Sequence, residues 1–131
     1  MLTRFKTVTG LSKARLPSIP EWRYAYRAGT STEYYSKPVS DIATYASNEL
    51  SDVGMHEPNA WGLYDMSGNA AERTSHLWEG TYASWEVSCG GTYRSAESAC
   101  KVTSTGWVDY DLHLSDSKHY CLNAFRVFVE E

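Results

Sequence analysis

The segment from Pro58 to Glu72 carries the side chains of this sequence best suited to chemistry. Asp65, Asn69 and Glu72 supply carboxylate and amide oxygens, and the glycines between them allow the positive φ angles that a tight loop needs. Hard cations such as Ca²⁺ bind carbonyl oxygens together with one or two carboxylates. The pattern therefore predicts a strand and an oxygen-rich loop, which holds either a calcium ion or only its own hydrogen-bonded polar side chains.

The three cysteines are the other reactive side chains. Cys89, Cys100 and Cys121 allow either three thiols in a reducing compartment or one disulfide and one free thiol. We expect reduced cysteines, and the alternatives are a Cys89–Cys100 or a Cys100–Cys121 bridge. Zinc is not expected, because the sequence has no C-x-x-C pair and its histidines lack ligand spacing.

Composition indicates one domain spanning residues 1–131, since a chain that is 42% hydrophobic and 14% aromatic can bury one sizeable core. A net charge of −4 argues against the basic face that nucleic acid requires. No apolar run approaches the ~20 residues of a membrane span. We expect a soluble protein with no nucleic-acid partner and no membrane insertion. Its localisation is left open, including display on a surface or phage particle through a partner.

Local patterns place a helix and several strands around these residues. Ser18 and Glu21 form a capping box that starts a helix, and Gly29 ends it. The apolar face of this helix consists of Trp22, Ala25 and Tyr26. The turn-rich residues 30–57 predict a long ordered loop. Strands are expected within 59–74, at 85–94 and at 123–129, the last because apolar side chains alternate there.

Four ordered motifs resemble the formylglycine-generating enzyme (sulfatase-modifying factor) family. Residues 58–72 are similar to its signature P-N-x-F/W-G-L-Y-D-M-x-G-N-V-W-E-W, and residues 15–25 to R-L-P-T-E-A-E-W-E-Y-A. Residues 90–93 resemble G-G-S-W/Y, and residues 124–127 resemble the terminal G-F-R-V. The resemblance implies an α+β, C-type-lectin-like fold with much irregular structure, here N-terminally short and without the family's first helix. The frame is expected to consist of Trp22, Trp61, Leu63, Tyr64, Phe125 and Val127.

The resemblance also implies a test for catalysis. Catalytic members of the family oxidise a substrate cysteine with copper(I) held by two thiolates spaced C-x4-C. Cys100 matches the second thiolate, but Ser95 stands at the first, and a hydroxyl does not replace a soft ligand. Ala71 and Arg73 stand where the family has two tryptophans. We predict no catalytic residues, no copper and no enzymatic activity; the alternative is a divergent copper oxidase or accessory enzyme acting on a sulfatase cysteine.

The resemblance implies calcium as a possible cofactor. The family holds it near the G-N-x-x-E segment with backbone carbonyls and the glutamate. The matching positions are Ser67, Gly68, Asn69, Ala70 and Glu72. The alternative for Glu72 is a buried carboxylate that accepts hydrogen bonds from loop amides.

The prediction of function is based on residues 94–121. They mix Tyr, His, Asp and Ser without regular periodicity, and Tyr and Ser are typical of binding surfaces. We predict a non-catalytic module that binds a protein or cell-surface ligand. The expected ligand-binding residues are Arg94, Ser95, Ser98, Trp107, Asp109, Tyr110, Asp111, His113, His119 and Tyr120.

The layout further resembles the variable proteins of diversity-generating retroelements, whose diversified stretch lies between G-G-S-W and the terminal G-F-R. Residues 108–117 and 119–121 use only residue types that adenine-directed mutagenesis of Asn codons can produce. A sugar-binding lectin is a third alternative, because residues 57–59 match half of the lectin calcium motif, Glu-Pro-Asn.

Overall fold

The computed structural model describes residues 2–79, 84–108 and 123–130, in which short helices and strands alternate with irregular segments. The helices are α1 (Leu2–Thr9) and α2 (Ile19–Arg27), with 3-10 turns at Val39–Asp41 and Glu97–Cys100. The strands are β1 (Ala14–Arg15), β2 (Ala43–Thr44), β3 (Ser67–Gly68), β4 (Ala71–Glu79), β5 (Ser84–Cys89), β6 (Thr105–Val108), β7 (Asn123–Phe125) and β8 (Phe128–Val129). Across these three ranges no helix combines the length and apolarity that a membrane span requires.

The largest sheet joins the middle of the chain to its end. Its strand order is β6-β5-β4-β7, with β5 antiparallel to both neighbours and β7 parallel to β4. The β4–β7 register sets Glu72 opposite Ala124. Two small sheets, antiparallel β1–β8 and parallel β2–β3, complete the pairing. The end of the 58–72 segment and the terminal G-F-R-V-like motif therefore lie side by side.

Helix α2 forms as its sequence predicts. The Ser18 backbone N–H donates to Glu21 Oε2 at 2.8 Å, and the Glu21 N–H donates to Ser18 Oγ at 3.4 Å, which completes the capping box. The helix ends at Arg27, and Ala28, with φ 44°, is the first residue in the left-handed region, one residue before the predicted Gly29. Trp22, Ala25 and Tyr26 are buried, as expected.

The core lies where α2 packs against the irregular segments and the strands. Its largest fully buried side chains include Trp22, Tyr26, Ile42, Met66 and Val102. Tyr34 and Tyr35 from the long 30–57 loop are also buried there, which explains why a segment with so little regular structure is ordered.

The structure corrects the predicted strand at the start of 59–74. Asn59 is 5% exposed, and its Oδ1 accepts the N–H groups of Trp61 (3.0 Å) and Leu63 (3.1 Å), which folds the segment into a turn. Its amide donates to the Ala25 carbonyl at 2.7 Å, one of the last-turn carbonyls of α2. Because this turn lies at the surface, Trp61 and Tyr64, which were expected to hold the frame, are 48% and 44% exposed.

Three further boundaries differ from expectation. The strand expected at 85–94 stops at Cys89, because Gly90 and Gly91 have φ angles of 91° and 73°. The strand expected at 123–129 is divided into β7 and β8. Helix α1 was not predicted, and Phe5 packs it against the Phe125 ring, with centroids 5.9 Å apart.

Candidate functional site

The predicted contact loop leaves the sheet through the Gly90–Gly91 turn. The Gly68 N–H donates to the Gly90 carbonyl at 2.7 Å, and the Tyr93 N–H donates to the Asn69 carbonyl at 2.8 Å. At Gly91 a Cβ atom would lie 2.8 Å from the Ala99 carbonyl oxygen. The turn therefore requires glycine and fixes the start of the loop against β3.

Ser95 is held inside this turn. The Thr92 N–H donates to Ser95 Oγ at 3.0 Å, and the two hydroxyls lie 3.0 Å apart. The Ser95 carbonyl accepts the Ala46 N–H at 2.8 Å. These bonds give Ser95 a structural role, which is compatible with a further role at the surface because the residue is only partly buried.

Cys100, at the other end of the Glu97–Cys100 turn, is a buried thiol. It is fully buried, and burial raises its pKa to about 11. Burial likewise raises the pKa of Cys89 to about 11. Both side chains are free thiols, so the alternative Cys89–Cys100 bridge is not formed. Burial thus disfavours the thiolate of both residues, which is the form that binds metals.

The predicted ligand-binding residues divide between described and undescribed parts of the chain. Arg94 and Ser98 are exposed, and the Arg94 guanidinium lies 5.3 Å from the centroid of the Tyr93 ring. With Ser95 they lie on one loop. Trp107 is in β6, and its side chain lies outside what the structure describes. The remaining residues also lie outside it, namely Asp109, Tyr110, Asp111, His113, His119 and Tyr120.

Glu72, the predicted metal-binding carboxylate, is buried in an ion pair. Arg126 donates from Nη2 to Oε1 at 2.6 Å and from Nε to Oε2 at 3.0 Å. The Trp22 indole N–H donates to Oε2 at 2.7 Å. Arg126 Nη2 also donates to the Tyr64 carbonyl at 2.8 Å. Glu72 is thus the buried, hydrogen-bonded carboxylate of the alternative prediction, with donors from Trp22 and Arg126 instead of loop amides.

Two neighbouring residues that were predicted to bind the metal, Ser67 and Asn69, also form hydrogen bonds within the protein. Asn69 exchanges two hydrogen bonds of 3.1 Å with the backbone of Ser51. The hydroxyl of Ser67 lies 2.8 Å from that of Tyr26. In the described ranges no three His, Cys, Asp or Glu side chains cluster as a metal site would need. A calcium ion would have to displace the guanidinium of Arg126, so the residues as placed do not fit calcium, and calcium at Ser67–Glu72 stays a prediction.

Sequence reasoning missed Asn59 and Arg126, the residues that organise this region. A signal existed for each. An Asn followed by a Gly three residues later is typical of side-chain-capped turns. Arg126 is a charged residue between the apolar residues of a predicted core strand, where it needs a buried partner. The identity of that partner, 54 residues away, is not encoded locally.

Comparison with known proteins supports the same fold. Treponema denticola variable protein 1 superposes with a TM-score of 0.64 at 25% identity, covering 73% of this chain and 42% of that chain. The protein CarF superposes with a TM-score of 0.63 at 25% identity, covering 72% of this chain and 41% of that chain. PvdO from Pseudomonas aeruginosa superposes with a TM-score of 0.68 at 20% identity, covering 81% of this chain and 50% of that chain. At this identity the likeness concerns the fold alone.

A curated relative extends the comparison. The chaperone protein LppX of Paenibacillus barcinonensis is 27% identical over 128 residues, covering 76% of this chain and 45% of the relative. The chain therefore spans about half or less of the proteins it matches here. These similarities confirm the predicted C-type-lectin-like fold of the formylglycine-generating enzyme type. Because the sulfatase-modifying factor enzyme 1-like domain matches residues 8–117, the chain belongs to that family.

Proposed function

We propose that this chain is a non-catalytic module that binds a protein or cell-surface ligand through the loop of residues 94–121. The observation that carries the proposal is Ser95, which stands at the position of one catalytic thiolate and whose hydroxyl is bonded to Thr92. Copper(I) chemistry needs two soft ligands. The other position, Cys100, offers a buried thiol whose pKa is raised to about 11.

The loop itself supports a binding role. Arg94 and Ser98 are exposed on a segment whose start is fixed by Gly91 and by backbone hydrogen bonds to Gly68 and Asn69. Loops on a rigid frame can vary in sequence without loss of the fold. Arginine placed over an aromatic ring is a frequent contributor to protein interfaces.

A narrower version of the proposal is that the chain is the diversified protein of a diversity-generating retroelement. The likeness to Treponema denticola variable protein 1 supports this version. The name of LppX, a chaperone protein, is compatible with a protein partner for the broader version. The coding DNA distinguishes the two. A nearby near-repeat of the segment for residues 91–126, differing only at adenines and accompanied by a reverse transcriptase gene, supports the narrower version, and absence of both leaves the broader one.

The loss of catalysis is tested by copper(I) binding. We expect wild-type protein to compete with a copper(I) chelator no better than a Cys100→Ser control, because Ser95 supplies no thiolate. A thiol-containing peptide incubated with copper(I), oxygen and the protein should stay unoxidised. Turnover above the Cys100→Ser control would overturn the proposal in favour of the divergent oxidase.

A further inference from the structure

A cleft of about 470 Å³ opens beside the Glu72–Arg126 ion pair. Val53 and Gly54 lie on one side, residues 62–65 on another, and residues 124–126 on a third. Neither Arg94, Ser95 nor Ser98 contributes to it. The cleft is therefore a separate surface of the described part of the chain.

The charges of the cleft do not balance. Its lining contains two carboxylates, Asp65 and Glu72, and one cation, Arg126. Arg126 is committed to Glu72 by two hydrogen bonds. Asp65 accepts one hydrogen bond, from the Gly54 N–H to Oδ2 at 2.7 Å, while its Oδ1 is buried without a hydrogen-bond partner. Because Arg126 is paired with Glu72, the Asp65 carboxylate leaves the lining of the cleft with a net negative charge.

Exposed apolar side chains surround this negative site. Val53 is 86% exposed, and Tyr64, also on the lining, is 44% exposed. A second groove of about 390 Å³ adjoins the cleft, since Leu63 and Arg126 line both. In it Tyr24 and Trp61 form an edge-to-face pair, with centroids 4.9 Å apart and an interplanar angle of 63°. Contiguous exposed aromatic surface of this kind marks interaction sites.

We propose that the cleft and the adjoining groove form a docking surface for a protein partner that inserts a lysine or arginine side chain beside Asp65. The cation pairs with the Asp65 carboxylate at the wall of the cleft and neutralises the excess negative charge. Its aliphatic stem contacts Leu63 and Tyr64, and apolar residues of the partner pack on Tyr24 and Trp61. A protein, as opposed to a small cation, is indicated because the aromatic surface continues into a second groove beyond the reach of one side chain.

The preference for a basic side chain is tested on the full chain by NMR titration. The probes are N-acetyl-lysine methylamide and its uncharged counterpart N-acetyl-norleucine methylamide. We expect the lysine probe to shift the amide resonances of Gly54 and residues 62–65, with an affinity about tenfold higher than that of the norleucine probe, since charged hydrogen bonds are stronger than neutral contacts. Equal shifts by the two probes, or lysine shifts elsewhere only, would overturn the proposal.

Two variants sharpen the test. Asp65→Asn keeps the side-chain size and a left-handed backbone that Asn tolerates, here φ 58°, but removes the charge. We expect it to abolish the preference for lysine, while Ser98→Ala, on the other proposed surface, retains it. Retention of the preference in Asp65→Asn would refute the role of that carboxylate.

A second copy of the chain is the rival occupant. Sedimentation of wild-type protein and of the Trp61→Ala variant distinguishes it. A monomer in both cases agrees with the proposal, whereas a wild-type dimer that Trp61→Ala dissociates would assign the surface to self-association instead.

Discussion

At the scale of single residues, the ion pair of Glu72 and Arg126 is the most consequential contact. The side chain of Glu72 is 7% exposed and that of Arg126 is 25% exposed, and the Trp22 indole adds a third bond. Removal of one charge from such a pair leaves the other buried without compensation. The main contribution of the pair to stability is therefore that neither buried charge is left unpaired, and the attraction between the two charges is secondary.

We expect Arg126→Met to lower the free energy of unfolding by about 3 kcal/mol, because it leaves the Glu72 carboxylate buried with one donor. The double variant Glu72→Gln/Arg126→Met should recover part of that loss, since no unpaired charge remains. Urea unfolding measures both. Arg94→Met, on an exposed arginine, serves as the control and should change stability little. An Arg126→Met variant as stable as the control would contradict the ion-pair argument.

The same contact leads to an expectation about calcium. Because the guanidinium occupies both Glu72 oxygens, we expect millimolar calcium to leave the melting temperature of the wild-type protein unchanged. Magnesium at the same ionic strength is the control for screening. A rise in melting temperature with calcium alone, lost in Glu72→Gln, would show that the ion displaces Arg126 and would restore the predicted site.

Residues with local partners were predictable, and residues with distant partners were not. Ser18 and Glu21 lie three positions apart, so the capping box could be read from the sequence and was confirmed. The bonds of Asn59 to α2 and of Arg126 to Glu72 join positions 34 and 54 residues apart. Such pairings depend on the β4–β7 register and on the packing of α2, which no local pattern specifies.

At the scale of elements, glycines determine where the strands stop. Gly91 combines a φ of 73° with a Cβ position 2.8 Å from the Ala99 carbonyl oxygen. Gly10 has the same φ, but a Cβ there would meet nothing within 4 Å. Strand propensity predicted that β5 continues to Arg94, because propensity reflects side-chain preferences. The strand ends at Cys89 because of the backbone conformation of Gly90 and Gly91 and the close packing of the loop.

This pair of glycines makes a matched prediction. Gly10→Ala should cost about 1 kcal/mol through backbone strain alone. Gly91→Ala should cost roughly 3 kcal/mol, because the Ala99 carbonyl must also move and, with it, the turn that ends in Cys100. The midpoints of urea unfolding give the difference. Equal costs would mean that the 90–100 loop adapts freely and is not fixed against β3.

At the scale of the whole molecule, one buried core supports two exposed regions, the loop that begins at Arg94 and the cleft at Asp65. The buried aromatic cluster around Trp22 and Tyr26 holds α2, the long loop and β3 together. The loop that begins at Arg94 and the cleft at Asp65 are attached to this frame by backbone bonds and single side chains. The fold class could be predicted because four motifs mark the frame, whereas the cleft could not, since its walls come from three separate segments.

A display module requires that the loop can change while the frame does not. We expect Arg94→Ala and Ser98→Ala to shift the free energy of unfolding by less than about 0.5 kcal/mol, as exposed positions usually do. Trp22→Phe is the matched test of the frame. It keeps most of the buried area but removes the indole donor to Glu72, and should cost about 1–3 kcal/mol. If the two loop variants destabilise the protein as much as Trp22→Phe does, the loop belongs to the core, and a role in presenting variable contacts is excluded.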